Sequence, residues 1–193
     1  MNRTVKVLGV LGSPRAGGNT DRLLEAALDG AREAGAEAEK VSLARLEVRP
    51  CTSCDGCRDG VRCVLEDDMS DLYGKLEDAD VIILASPVYF DAVSAQTKAF
   101  IDRTQLFWYR KYVLKMAGRK RRGAFISVAA RVRTDFACPE ATARAFFHTL
   151  DAMPCRTLAF SGFEEAGSIE DHPTALGEAR DLGRALAGER NCI

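Results

Sequence analysis

Apolar runs of strand length alternate with helix-spaced apolar patterns along the 193-residue chain. Residues 5–11, VKVLGVL, form a near-continuous apolar run that stops at Gly12, which predicts a strand buried on both faces. Residues 21–34 place Leu23, Leu24, Ala27, Leu28 and Ala31 at helical spacing, and 37–43 read as a second, weaker strand. Asp67 or Asp68 stands before a periodic run through Leu76, where an aspartate can cap the free amides of a short helix. The third strand covers 81–85 and the next amphipathic helix 95–107, after which 123–129, 140–150, 156–160 and 174–187 read as strand, helix, strand and helix. Five strands alternating with five helices predict an α/β fold, a doubly wound five-stranded parallel sheet with helices on both faces, because each parallel crossover needs a helix to return the chain.

No interdomain linker, repeat or low-complexity tract interrupts the pattern, so 1–193 reads as a single domain with a cysteine-rich loop at 50–64. No apolar stretch reaches the ~18–20 residues needed to cross a bilayer, and the N-terminus runs into a strand rather than a cleavable leader, so the expectation is a cytoplasmic protein without a membrane partner. With 27 basic and 28 acidic residues, a net charge of −1 offers no global case for nucleic-acid binding. The exception is local: seven of the thirteen residues 110–122 are Lys or Arg. They read as a solvated loop with frayed helix ends, or else as a dock for an acidic electron-transfer partner or a nucleotide phosphate.

The densest chemistry is PCTSCDGCRDGVRC, in which Cys51, Cys54, Cys57 and Cys63 fall in the spacing C-x2-C-x2-C-x5-C. Four thiolates match the ligand count of a [4Fe-4S] cluster. A structural zinc site more often pairs two C-x2-C knuckles across a longer excursion, and a loop of unmetallated thiols is the third reading. Disulfides fit poorly with seven cysteines and no leader. Cys138, Cys155 and Cys192 are isolated, and buried apolar thiols are the expectation for them.

Ligands of doubly wound sheets sit beyond the carboxyl ends of the strands. The loop after the first strand reads GSPRAGGNT and stands directly before a helix, where backbone amides and the helix dipole favour an anion. Ser13, Asn19 and Thr20 can hydrogen-bond phosphate oxygens there, and Arg15 can neutralise charge; a plain turn rich in glycine is the other reading. After the third strand, SPVYF offers the aromatic and apolar groups that a flat ring needs, although as a packed loop it would put Tyr89 and Phe90 in the core. A phosphate loop and a ring pocket on one edge suggest a ring-bearing phosphate such as FMN.

The combination of GSPRAGGNT, PCTSCDGCRDGVRC followed by EDDM, SPVYF and AQTKAFIDR resembles the iron-sulfur flavoproteins within the NADPH-dependent FMN reductase, flavodoxin-like family. That resemblance implies FMN held by Ser13, Arg15, Gly18, Asn19 and Thr20 at the phosphate and by Pro87, Val88, Tyr89 and Phe90 beside the ring, with Ala130 and Arg131 after the fourth strand. It also implies a [4Fe-4S] cluster on Cys51, Cys54, Cys57 and Cys63, and NAD(P)H as a donor. Homo-oligomers, dimer or tetramer, are implied as well, and a ferredoxin-like partner is possible. Where relatives carry glycines after the fourth strand this chain has 128–134, VAARVRT, whose side chains would approach the flavin or narrow the cleft. His148 and His172 show no partner pattern for a catalytic base, and Asp102 and Arg103 read as helix-packing or interface residues. The functional expectation is electron transfer among flavin, cluster and partner; a cluster-free NAD(P)H-dependent FMN or quinone reductase and a zinc-stabilised binding module are the alternatives.

Overall fold

A computed structural model describes residues 3–188. Its elements are β1 (Lys6–Leu11), α1 (Asn19–Glu33), β2 (Glu37–Ser42), α2 (Met69–Asp78), β3 (Val81–Tyr89), β4 (Ala92–Val93), α3 (Ala95–Arg103), α4 (Gln105–Trp108), β5 (Arg121–Ala129), α5 (Ala137–Thr149), β6 (Ala152–Ser161) and α6 (Ala175–Gly188). The parallel strands lie in the order β2-β1-β3-β5-β6, the flavodoxin-like order expected of this pattern. Consecutive residues along each strand face opposite sides. Val7, Ile83 and Ile126 therefore pack under α1 and α6, while Leu8, Ile82, Leu84 and Phe125 pack under α2, α3 and α5. The first layer closes tightly because α1 and α6 each set a glycine against the other's backbone: a Cβ on Gly30 would lie 1.9 Å from the Arg180 carbonyl oxygen, and one on Gly183 1.7 Å from that of Ala27.

Three features depart from the sequence reading. The helix expected over 95–107 ends at Arg103, where the Thr104 hydroxyl donates back to the Ile101 carbonyl at 2.6 Å and competes with the helical ladder. A short α4 and a five-residue π-helix, Tyr109–Val113, follow it. The third strand runs on to Tyr89 and turns back through Phe90 and Asp91 into β4, with Val88 opposite Val93. Both turn residues have positive φ, 51° and 58°, as a type I′ hairpin turn requires.

The basic run 110–122 is the third. Most of its charges are occupied at the amino-terminal edge of the sheet, opposite the ligand loops. Arg121 donates to the carbonyls of Leu76, Glu77 and Leu150, Arg119 pairs with Asp80, Arg110 with Glu77, and Lys111 with Asp151. The expected frayed loop is thus a set of clamps between elements, and it leaves little free charge for a phosphate. No helix among the described residues is long and apolar enough to cross a membrane.

Candidate functional site

Strand order reverses between β1 and β3, so their carboxyl ends open onto a crevice. Gly12 leaves β1 with its N–H donated to the Ala85 carbonyl at 2.7 Å. Its carbonyl accepts from the Ser94 hydroxyl at 2.6 Å. A Cβ on Gly12 would fall 1.7 Å from the Thr97 hydroxyl oxygen, so only glycine fits here. Ser94 caps α3 by accepting from the Thr97 amide, and its own amide donates to the Ser86 hydroxyl at 3.0 Å. The Ser127 hydroxyl donates to the Ser86 carbonyl at 3.0 Å, so buried hydroxyls lock the ends of β1, β3 and β5 together. The sequence reading missed Ser86, Ser94 and Ser127; the serine two residues ahead of AQTKAF's glutamine was the available capping signal.

The loop of residues 12–18 enters α1 with Gly18 at its cap position and no side-chain cap, which leaves the first amides of the helix unpaired by side chains. Ser13 and Thr20 are buried beside these amides, and Ser13 accepts from the Arg15 amide at 3.2 Å. Arg15 is exposed and reaches toward the Glu164 carbonyl at 3.4 Å. Asn19 is different. Its side-chain amide donates to the carbonyls of Phe163 at 3.2 Å and Glu165 at 2.8 Å, and its oxygen accepts from the buried Ile169 amide at 3.1 Å. The expected anion contact is replaced by a tether, because the chain after β6 folds over the start of α1 and presents carbonyls to it.

Pro87 and Val88 are half-buried, whereas Tyr89 and Phe90 are exposed on the hairpin, Phe90 fully so. The alternative of core packing for these two aromatics is excluded by the turn, which carries them away from the sheet. Ala130 and Arg131 lie in the facing turn after β5, both exposed. Arg131 reaches across to Asp91 at 3.1 Å and so joins the two loops that flank the crevice mouth.

The cysteine loop sits elsewhere, against the far end of α3. Cys51, Cys54, Cys57 and Cys63 line one cavity of about 50 Å³ together with Arg103, Gln105 and Tyr109. Ser53, Asp55 and Gly60 have positive φ, so the chain coils back on itself and turns the thiols to a common side. Burial raises the Cys57 thiol pKa, and the neighbouring Cys63, Cys51 and Cys54 raise it further. The Gly56 amide and the Thr52 hydroxyl pull the exposed Cys54 thiol down instead. Among the described residues no three of His, Cys, Asp and Glu gather about a single metal point. The loop is stapled at both ends by Arg103, which pairs bidentately with Asp67 and donates to the carbonyls of Arg49 and Leu65. Asp67 therefore answers Arg103 rather than serving only as a helix cap, and Arg103 serves the cysteine loop rather than mere helix packing. Nothing in the spacing of EDDM and FIDR announced that pairing.

Of the remaining thiols, Cys138 is exposed at the start of α5 and Cys155 is half-buried and disulfide-bonded, so neither is the buried free thiol expected; Cys192 lies outside the described residues. His148 is exposed. The His172 ring packs on Phe160 and Phe163 while its Nδ1 accepts from the Ala175 amide at 3.1 Å, a cap for α6.

The family model described as NADPH-dependent FMN reductase matches residues 5–165. The chain belongs to that family. Among curated relatives of this FMN reductase family, an iron-sulfur flavoprotein of Methanosarcina thermophila is 43% identical over 111 residues, 58% of each chain. Another, of Methanocaldococcus jannaschii, is 46% identical over 101 residues, 52% of each chain. The matched segments thus span about half the length of these relatives. Among solved structures, an NAD(P)H:quinone oxidoreductase from Methanothermobacter marburgensis superposes with a TM-score of 0.72 at 18% identity, covering 95% of this chain and 100% of that one. A flavodoxin from the domain Archaea superposes at 0.59 with 14% identity, over 95% of this chain and 96% of that one. Both show the shared fold.

Proposed function

We propose that this protein is an FMN-dependent oxidoreductase that passes electrons between the flavin, a [4Fe-4S] cluster on Cys51, Cys54, Cys57 and Cys63, and a partner or small acceptor. The observation that carries the reading is the pair of sites at opposite ends of one helix: Ser94 at the start of α3 is bonded into the crevice loops, and Arg103 at its end grips the cysteine loop. The eight steps between Ala95 and Arg103 span roughly 12 Å along the helix axis.

The residues present fit both groups. At the crevice, the unpaired amides at the start of α1 with Ser13, Arg15, Gly18 and Thr20 would hold a terminal phosphate, and Asn19 would act by holding the 163–169 loop over them. Pro87, Val88, Tyr89 and Phe90 would line the ring, with Ala130 and Arg131 closing the mouth. When bound, FMN accepts one or two electrons and the cluster one. The protein's part is to bind, to orient and to exclude water. At the cysteine loop, a single zinc ion would draw four sulfurs to about 2.3 Å from one point. Thiols spread around a cavity suit a centre with separated iron corners better.

One domain would carry both sites in a cytoplasmic homo-oligomer, where a second copy can bring a cluster nearer to a flavin than the helix alone allows. A relative from Bacillus subtilis named as a putative NAD(P)H-dependent FMN-containing oxidoreductase supports a second reading, a reductase whose thiols carry no cluster. Anaerobic purification with iron, acid-labile sulfide, zinc and flavin assays on one sample separates the two. Four irons, four sulfides and one FMN per chain are expected. Stoichiometric zinc without sulfide would defeat the cluster, and FAD that FMN cannot displace would defeat the phosphate site. Cys54→Ala is expected to remove the broad cluster absorption while FMN stays bound, and Cys138→Ala to change neither.

A further inference from the structure

Arg103 is 2% exposed, yet it is a cation placed at the wall of the cysteine cavity. A guanidinium has five N–H donors. Two nitrogens are accounted for: Nη1 donates to Asp67 at 2.6 Å and to the Arg49 carbonyl at 2.9 Å, and Nη2 to Asp67 at 3.1 Å and the Leu65 carbonyl at 3.3 Å. The fifth donor, Nε–H, is buried and has no hydrogen-bond partner. Buried charged donors are almost always satisfied, so an orphan at the wall of a thiol cavity points to an acceptor that belongs there. Sulfur of a metal-bound thiolate is such an acceptor, soft and anionic. Of the four cysteines, Cys63 is the one whose charge bears on both Arg103 and Tyr73, and the Tyr73 hydroxyl donates to the Arg103 carbonyl at 2.8 Å.

Resting on the cluster reading above, we propose that Arg103 is a positioning residue for the sulfur centre, donating its Nε–H to the Cys63 sulfur and setting the centre's reduction potential. Reduction adds negative charge. A fixed cation and a donated hydrogen bond at one sulfur stabilise the reduced form more than the oxidised form, and the potential rises. The Asp67 carboxylate on Nη1 and Nη2 offsets most of the guanidinium charge, so the hydrogen bond donated by Nε carries the effect.

Two variants separate the donor from the staple. Arg103→Lys keeps the charge and loses Nε–H. The paired change Arg103→Met with Asp67→Leu removes a buried ion pair as a unit, which is often tolerated where removal of one partner is not. In anaerobic protein with its cluster, the Lys variant is expected to lower the midpoint potential so that the reduced fraction at a given potential falls about tenfold, a shift of about 59 mV for one electron. The paired variant also lacks Nε–H and is expected to lower the potential by a comparable amount. An unchanged potential in variants with wild-type near-ultraviolet dichroism would overturn the proposal and leave Arg103 as a staple. Should neither variant keep wild-type dichroism, wild-type protein answers by itself: iron–cysteine sulfur stretching bands in its resonance Raman spectrum that do not move in deuterium oxide would overturn it too. Protein that never holds iron or sulfide fails the cluster reading and the proposal with it, whereas an unchanged potential fails the proposal alone.

Discussion

Asn19→Ala distinguishes an anion-binding asparagine from a structural tether. The wild-type side chain donates to two backbone carbonyls at 3.2 and 2.8 Å and accepts from the Ile169 amide at 3.1 Å, all from a site that is 8% exposed. Each hydrogen bond contributes about 0.5–1.5 kcal/mol, and the stranded Ile169 amide adds a desolvation cost of about 1–3 kcal/mol. Water reaching the vacated space recovers part of that, so a loss of about 3 kcal/mol is expected. For a chain of this size that corresponds to a fall of roughly 6–12 °C in Tm. The assay is thermal unfolding of flavin-free protein, paired with FMN titration of the same variant. Asn19→Asp should be worse than Ala, because it keeps the acceptor for Ile169 while setting an anion against the carbonyls of Phe163 and Glu165. A flavin-free Tm within about 1 °C of wild type, with FMN affinity lost, would refute the tether and return Asn19 to the phosphate.

Phe90→Asn should raise flavin-free stability by about 0.5–1 kcal/mol, since asparagine tolerates the positive φ of the hairpin turn, and should weaken FMN binding if the exposed ring covers the flavin; denaturant midpoints and FMN titration read the two effects, and unchanged affinity would remove Phe90 from the ring site. Acid should act through Asp67. Burial raises its carboxyl, but the Arg103 hydrogen bonds and charge and the Arg49 and Met69 amides outweigh that and hold it below the usual carboxylate range. Its contribution is therefore complete above about pH 4–5 and disappears as pH falls through the lowered folded value; urea midpoints should fall below about pH 4, and Asp67→Asn should flatten that limb while costing about 3 kcal/mol at neutral pH.

Periodicity carried the architecture. Strands buried on both faces read as unbroken apolar runs, as at 81–85, and helices with one buried face read as spaced leucines and alanines, as at 21–34, so layer order and parallel pairing follow from local pattern and crossover geometry. The cysteine spacing likewise set 51–63 apart from the core, because no packing demand puts four thiols in thirteen residues, and the fold lines one cavity with all four. What the local pattern could not contain was partnership at long range. Asn19 looks like an anion ligand until the 163–169 loop, 144 residues and more downstream, fills its hydrogen bonds. Arg103 and Asp67 are 36 positions apart and belong to two different motifs, yet one buried fork joins them around the thiol loop. The basic run 110–122 likewise changes meaning once its cations meet carboxylates and carbonyls from α2 and the turn before β6. Sequence states which groups a side chain offers; only the folded chain decides which of those groups are already taken, and a polar residue left with a free donor at a cavity wall is a property of the packing alone.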